Sequence, residues 1–198
     1  MRRPAALAWY AVLLLAVTAR GDTAATPADD APSIPTDCAT HSITLYPLPD
    51  DPETAIAFTG NPEIFEAVVE ASEPARKVTR PGQPVPVLVY VPVRVTVTVV
   101  HNGGSVVGQQ MVLRDLGGTA PDCTEFLYDQ SYPNSTWVPG AEVFVFANEA
   151  TTDQGWTALT PNWVFVEREG VAVNARAETE RMDIDEMRAG VKKRWPRR

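Results

Sequence analysis

The chain has 198 residues, room for one ordinary domain with terminal segments to spare, and 44% of them are apolar, enough for a globular core. Acidic residues outnumber basic ones 25 to 17, and five of the 17 fall in the last seven positions. So acidic a body repels phosphate backbones, which argues against nucleic acid as a partner.

The N-terminus has the three parts of a secretory signal. Arg2 and Arg3 precede residues 5–17, thirteen positions without a charge, and Val17-Thr18-Ala19 offers small side chains where a signal peptidase cuts. Thirteen helical residues rise about 20 Å, short of a hydrocarbon core of about 30 Å. Residues 1–19 are therefore expected to be cleaved rather than kept as an anchor, and the protein to be secreted or held in the cell envelope. Residues 20–37, rich in Thr, Ala, Asp and Pro, bury too little apolar surface to order themselves and form a leader. Arg20-Gly21-Asp22 spells an integrin tripeptide, a match short enough to arise by chance.

An all-β domain is expected over residues 38–176. Its two cysteines, Cys38 and Cys123, are an isolated pair in an exported chain, which favours one disulfide over free thiols. Closing a loop of about 85 residues stabilises by about 4–5 kcal/mol in the chain-entropy description. Neither Cys has a partner at ligand spacing, so no metal site is expected.

Residues 42–46 suit a short strand, and 47–53 are turn-rich. In residues 64–72, Phe65, Ala67, Val69 and Ala71 alternate with Glu66 and Glu70, the period of a half-buried strand. Residues 74–86 hold four prolines and Gly82 and read as a loop. Then Val87, Val89, Val91, Val93, Val95, Val97 and Val99 occupy every odd position, a valine stripe along one long strand bent near Pro92. Asn102-Gly103-Gly104 predicts a tight hairpin with a return strand over 107–113. Residues 125–139 form a polar, aromatic-bearing loop. Residues 142–147 follow with Val143 and Val145 on one face and Phe144 and Phe146 on the other, a strand buried on both sides. Strands are expected at 156–160, 163–167 and 171–174, the last two joined by a turn at Arg168-Glu169-Gly170. Only the end, residues 177–198, reads as helical. There Asp183 and Glu186 form a capping pair, Ile184, Met187, Val191 and Trp195 line one face, and a basic tail follows.

The strand opening Phe65-Glu66-Ala67-Val68-Val69-Glu70, the valine-rich second strand, and a Cys before Pro139-Gly140-Ala141-Glu142-Val143-Phe144-Val145-Phe146-Ala147 carry a resemblance. Over residues 38–174 the chain resembles secreted bacterial domains with the OB-like barrel of netrin and metalloprotease-inhibitor modules. The resemblance implies a five-stranded Greek-key barrel, here expected as five to seven strands with a short C-terminal helix. It does not extend to protease inhibition. Those inhibitors chelate the target's metal through an N-terminal Cys amine, whereas Cys38 lies well inside the mature chain.

Candidate chemistry is sparse. Only His41 and His101 could serve as imidazole bases. His101 adjoins the Asn102-Gly103 turn, and His41 stands beside Ser42 without a supporting third group. No nucleophile elbow, paired-His zinc helix or phosphate-cradling Gly loop is present, so no cofactor is expected. Asp122, Glu125 and Asp129 share a loop with Tyr128 and Tyr132, the best polar surface for a ligand. Trp137, Trp156 and Trp163 could stack on sugars or fill the core. Lys192, Lys193, Arg194, Arg197 and Arg198, with Trp195 among them, suit an anionic membrane surface or wall polymer. The expected function is a non-catalytic binding or envelope-associated module with a protein or glycan partner. The alternative is a small secreted hydrolase using carboxylates of residues 122–132. An accessory protein without a small ligand is a third reading.

Overall fold

The computed structural model describes residues 40–43, 49–58, 60, 62–79, 81–82, 88–122, 125–128, 131–148 and 151–196. The signal segment, the leader, Cys38, Cys123, Asp129, Arg197 and Arg198 lie outside these residues. No helix among the described residues is long and apolar enough to cross a membrane.

In chain order the elements are β1 (Thr40–Ile43), α1 (Pro52–Ala57), β2 (Glu63–Ser72), β3 (Arg76–Val78) and β4 (Leu88–Asn102). Next come β5 (Gln110–Leu116), β6 (Gly118–Thr119), β7 (Glu125–Tyr128), a 3₁₀ turn (Asn134–Trp137) and β8 (Glu142–Ala147). The chain continues through β9 (Thr151–Asp153), β10 (Trp156–Leu159), β11 (Pro161–Arg168), β12 (Val171–Asn174), β13 (Arg181–Asp183) and α2 (Ile184–Arg194). The all-β class with a short C-terminal helix is what the structure shows. Among the described residues thirteen strands replace the five to seven expected, because several are pairings of two to four residues that no local pattern announces. They lie in a three-stranded sheet, β1-β7-β6, and a ten-stranded mixed sheet ordered β13-β12-β11-β8-β2-β4-β5-β10-β9, with β3 beside β4.

Alternation builds two apolar layers on the large sheet. Phe65, Ala67 and Val69 of β2 and Val143 and Val145 of β8 share one core with Val93, Val95, Val97, Met111 and Leu113. The opposite residues, Ile64, Phe144 and Phe146, pack with Trp163 and Phe165 beneath Ile184, Met187 and Val191 of α2. Strand β8 is thus buried on both faces, as its sequence implies.

The valine stripe keeps its phase only in part. Val89, Val93, Val95 and Val97 are buried, but Val91 and Val99 are half-buried. The register between β2 and β4 slips at Glu66/Ala67 and again at Ile64/Phe65, which leaves Thr98 and His101 of β4 unopposed. Each such bulge reverses the side-chain parity beyond it. Pro92 is tolerated because β4 changes neighbours there: Val93 is the last residue opposite β2 and Tyr90 the first opposite β3.

Four expectations change. The turn-rich stretch expected over 47–53 runs into a helix at its end, residues 52–57: the Asp51 carboxylate accepts from Thr54 N at 2.7 Å and Pro52 starts the helix. The proline-rich loop contains β3, which is short enough to pair on an edge. Residues 125–128 leave the supposed loop to pair in parallel with β1. The hairpin after Asn102 is wider than a tight turn, since β5 begins only at Gln110. Glu63 explains the width: its carboxylate accepts from Gly104 N (2.8 Å), Ser105 N (3.2 Å) and Ser105 Oγ (2.8 Å). The turn at Glu169-Gly170 forms as expected, both residues with positive φ.

Candidate binding clefts

The three tryptophans part company. Trp163 is fully buried in the layer under α2 and donates its indole N–H to the Pro49 carbonyl at 2.9 Å. Trp137 lies in the inner core, edge-on to Tyr132 at 5.6 Å. Tyr128 is buried against Ala75 and Val89. An aromatic platform of three does not assemble, because the core takes two of its members.

Trp156 is the exception. Gln154 and Gly155, both with positive φ, turn the chain between β9 and β10, and Trp156 opens β10 opposite Asp153. Its ring lies half-exposed between two shallow clefts of about 250 and 200 Å³ that also share Arg94. The floor of the larger cleft is prearranged. Glu73 accepts from both Arg76 and Arg94, Arg76 Nη1 reaches Asp153 Oδ2 at 3.2 Å, and the Tyr90 hydroxyl donates to Asp153 Oδ1 at 2.9 Å. Burial alone would raise the Glu73 pKa, but the two guanidiniums outweigh it and hold the carboxyl below its ordinary value. Burial and the Asp153 hydrogen bond push Tyr90 upward, so its hydroxyl stays a donor. Two arginines thus face two carboxylates. The floor offers oriented polar groups and no net charge. Gln110 and Glu70 edge the second cleft.

A second cluster joins α2 to the sheet. Arg188 Nε and Nη2 donate to Glu66 Oε1 and Oε2 at 2.9 and 2.7 Å, and His101 Nε2 lies 2.7 Å from Oε1. Burial acts to raise the Glu66 pKa, yet hydrogen bonds from Arg188 and His101 win and hold it at about 2. Its hydrogen bond to Glu66 raises the Arg188 pKa. The His101 ring stacks on Phe144 at 4.8 Å. Beside it opens a cleft of about 570 Å³ lined by His101, Arg188, Ala189, Lys192, Trp195 and Pro196. Lys192, Lys193 and Arg194, expected in a solvated tail, form the last turn of α2, where their charge opposes the helix dipole favourably.

Asp115 is 4% exposed and accepts from Trp137 Nε1 at 2.7 Å and Tyr132 N at 3.2 Å. Burial dominates and pushes its carboxyl up to about 7. It lies within the core. Of the loop proposed for a hydrolase, Asp122 is ion-paired to Lys77 and Glu125 belongs to β7.

Arg76, Arg94, Asp153 and Arg188 carry no signal in the sequence: each gains its role from a strand or helix pairing far along the chain. Compared with known proteins, the chain matches no family model, no curated protein and no solved structure.

Proposed function

We propose that this protein is an exported, OB-like binding module whose groove at Trp156 takes a glycan. The observation that carries the reading is the half-exposed Trp156 ring between two clefts whose charged floor is already neutralised internally. A ring face stacks on the apolar face of a sugar, while flanking carboxylate, guanidinium and amide groups hydrogen-bond its hydroxyls. An uncharged polar ligand suits such a floor better than an ion, because an ion would break pairs that already satisfy one another.

The barrel reading is supported by connectivity. β10 pairs in parallel with β5, β11 pairs antiparallel with β8, and only Thr160 separates β10 from β11. One run of chain thus touches both flanks of β8-β2-β4-β5, the way a five-stranded Greek-key barrel closes.

The compartment reading rests on the N-terminal signal pattern and on the cysteines. Cys38 and Cys123 are an isolated even pair, which in an exported chain favours one bridge between them. Thiol titration of the denatured, unreduced protein should find no free sulfhydryl; two per chain would discard the bridge.

The glycan reading is tested by tryptophan emission during titration with neutral tetrasaccharides of β-linked glucose and of N-acetylglucosamine. The expected result is a saturable change lost in Trp156→Ala. A flat response to both sugars, or equal binding by the variant, rejects it.

A carboxylate-dependent hydrolase is the competing reading, shifted from the carboxylates of residues 122–132 to Glu66, Glu142 and Glu167, which line one cleft of about 210 Å³. It requires a protonated acid at that cleft. Glu66, at about 2 and clamped by Arg188, cannot be that acid near neutral pH. Glycosidase activity abolished by Glu142→Gln or Glu167→Gln would revive it.

A further inference from the structure

We infer that the end of the molecule built from the β4–β5 loop and the last turn of α2 docks on an anionic lipid bilayer. Two features carry the inference. Val106 and Val107 are exposed side by side, at 64% and 62%, although valine is a residue that folding normally hides. Lys192, Lys193 and Arg194 project from the last turn of α2, and all three are exposed. No hydrogen bond or ion pair to a carboxylate is found for them among the described residues. They stand out on a body whose charge is otherwise strongly negative.

His101 ties the two features together. Its ring lines the same cleft as Lys192 and Trp195, and the loop leaves β4 directly after it. Val106 follows five residues later, so the two Cα atoms lie at most about 17 Å apart. That is the footprint of a small peripheral contact. Trp195, half-buried beside the apolar layer under α2 and flanked by Arg194 at 5.7 Å, adds an aromatic of the kind that favours the headgroup region.

The chemistry is complementary and divided. Basic side chains near a lipid surface contribute about 1 kcal/mol each and are screened by salt. An apolar loop tip gives a contribution that salt does not weaken. A bilayer offers both phosphate headgroups and an apolar layer; a soluble polyanion offers only the first. The acidic remainder of the body is repelled by the same surface, which fixes the orientation: this end approaches and the Trp156 groove is a separate feature of the molecule.

The test is flotation of the mature full-length chain with vesicles of 30% phosphatidylglycerol in phosphatidylcholine, against pure phosphatidylcholine. Binding is expected to the anionic vesicles and to fall steeply between 50 and 300 mM salt. Neutralising three basic residues (Lys192→Ala, Lys193→Ala, Arg194→Ala) should weaken the partition by about 100-fold. Val106→Ser with Val107→Ser should weaken it by about tenfold while keeping the salt slope. Both sets change exposed side chains and leave the apolar layers intact, so circular dichroism should match the wild type. No flotation with anionic vesicles overturns the proposal. So does flotation that the valine pair does not affect, since that is the behaviour of a protein recognising anionic charge on any polymer.

Discussion

Glu66 of β2 and Arg188 of α2 stand 122 residues apart and meet through two parallel hydrogen bonds. The pair fixes the helix on the sheet at the point where apolar packing gives way to solvent. Below it, Ile184 and Met187 are buried; above it, Lys192 and Lys193 are exposed. Geometry of this kind is bidentate and orienting, so it sets the rotation of α2 as well as its stability.

Glu66→Gln should therefore destabilise the fold and loosen α2. Removing one partner of a buried pair costs about 3–5 kcal/mol, and the half-exposed Arg188 reduces this to about 2–3 kcal/mol. The Glu66 carboxyl is held at about 2 against 4.5 when free. Its contribution is thus present above pH 4.5 and lost as pH falls toward 2. Urea denaturation at pH 7 and pH 3 should show a large difference between variant and wild type at the first and a small one at the second. Equal differences would mean that the pair is not coupled to folding.

Asp115 works in the opposite sense. Its carboxyl titrates at about 7 in the fold and at 3.8 when free, so the folded protein holds the proton more tightly. That contribution is full below about pH 3.8 and disappears as pH rises through about 7, an upper bound of about 4 kcal/mol. Asp115→Asn keeps one acceptor for Trp137 Nε1 or Tyr132 N and loses the other, a cost of about 1 kcal/mol. The stability curves should cross: the variant is weaker than wild type at pH 3 and stronger at pH 8. Parallel curves from pH 3 to 8 would show that the carboxyl is not neutral in the core.

Much of this architecture is legible locally. Phe65, Ala67 and Val69 announce one buried face by spacing alone, and Val143 to Phe146 announce a strand covered twice. Asp183 marks the start of α2, where it accepts from Asp185 N and Glu186 N at 2.9 and 3.1 Å. α1 carries its own local signal in Asp51-Pro52-Glu53-Thr54, a cap followed by Pro at the first turn, although the prolines around it equally suit a turn. What the sequence hides is non-local. Nothing near residue 125 reveals that it pairs in parallel with residue 40. Nothing near Trp156 distinguishes it from Trp163, since only the fold decides which indole meets the core. Bulges hide for the same reason: an unbroken valine alternation gives no sign that Thr98 and His101 fall out of register.

That difference between the tryptophans is measurable. Trp163→Ala empties a fully buried site and unpairs the Pro49 carbonyl, so it should cost about 3–5 kcal/mol. Trp156→Ala, at a half-exposed position, should cost about 1 kcal/mol or less. Thermal denaturation of both variants separates them, and comparable losses would place Trp156 in the core and remove it from the proposed groove.

Gly103 is the most constrained glycine of the β4–β5 loop. Its φ is 104°, and a Cβ there would collide with the Glu63 carboxylate that holds Gly104 and Ser105. Gly108, in the same loop, has φ 82° and open space around it. Gly108→Ala should therefore cost only the backbone strain, about 1 kcal/mol. Gly103→Ala adds displacement of Glu63 and should cost about 2–3 kcal/mol, with faster amide exchange at Gly104 and Ser105. The double variant Glu63→Ala with Gly103→Ala decides the cause. If the clash matters, the alanine at 103 costs no more than about 1 kcal/mol once Glu63 is gone, and an undiminished cost assigns the effect to backbone conformation alone.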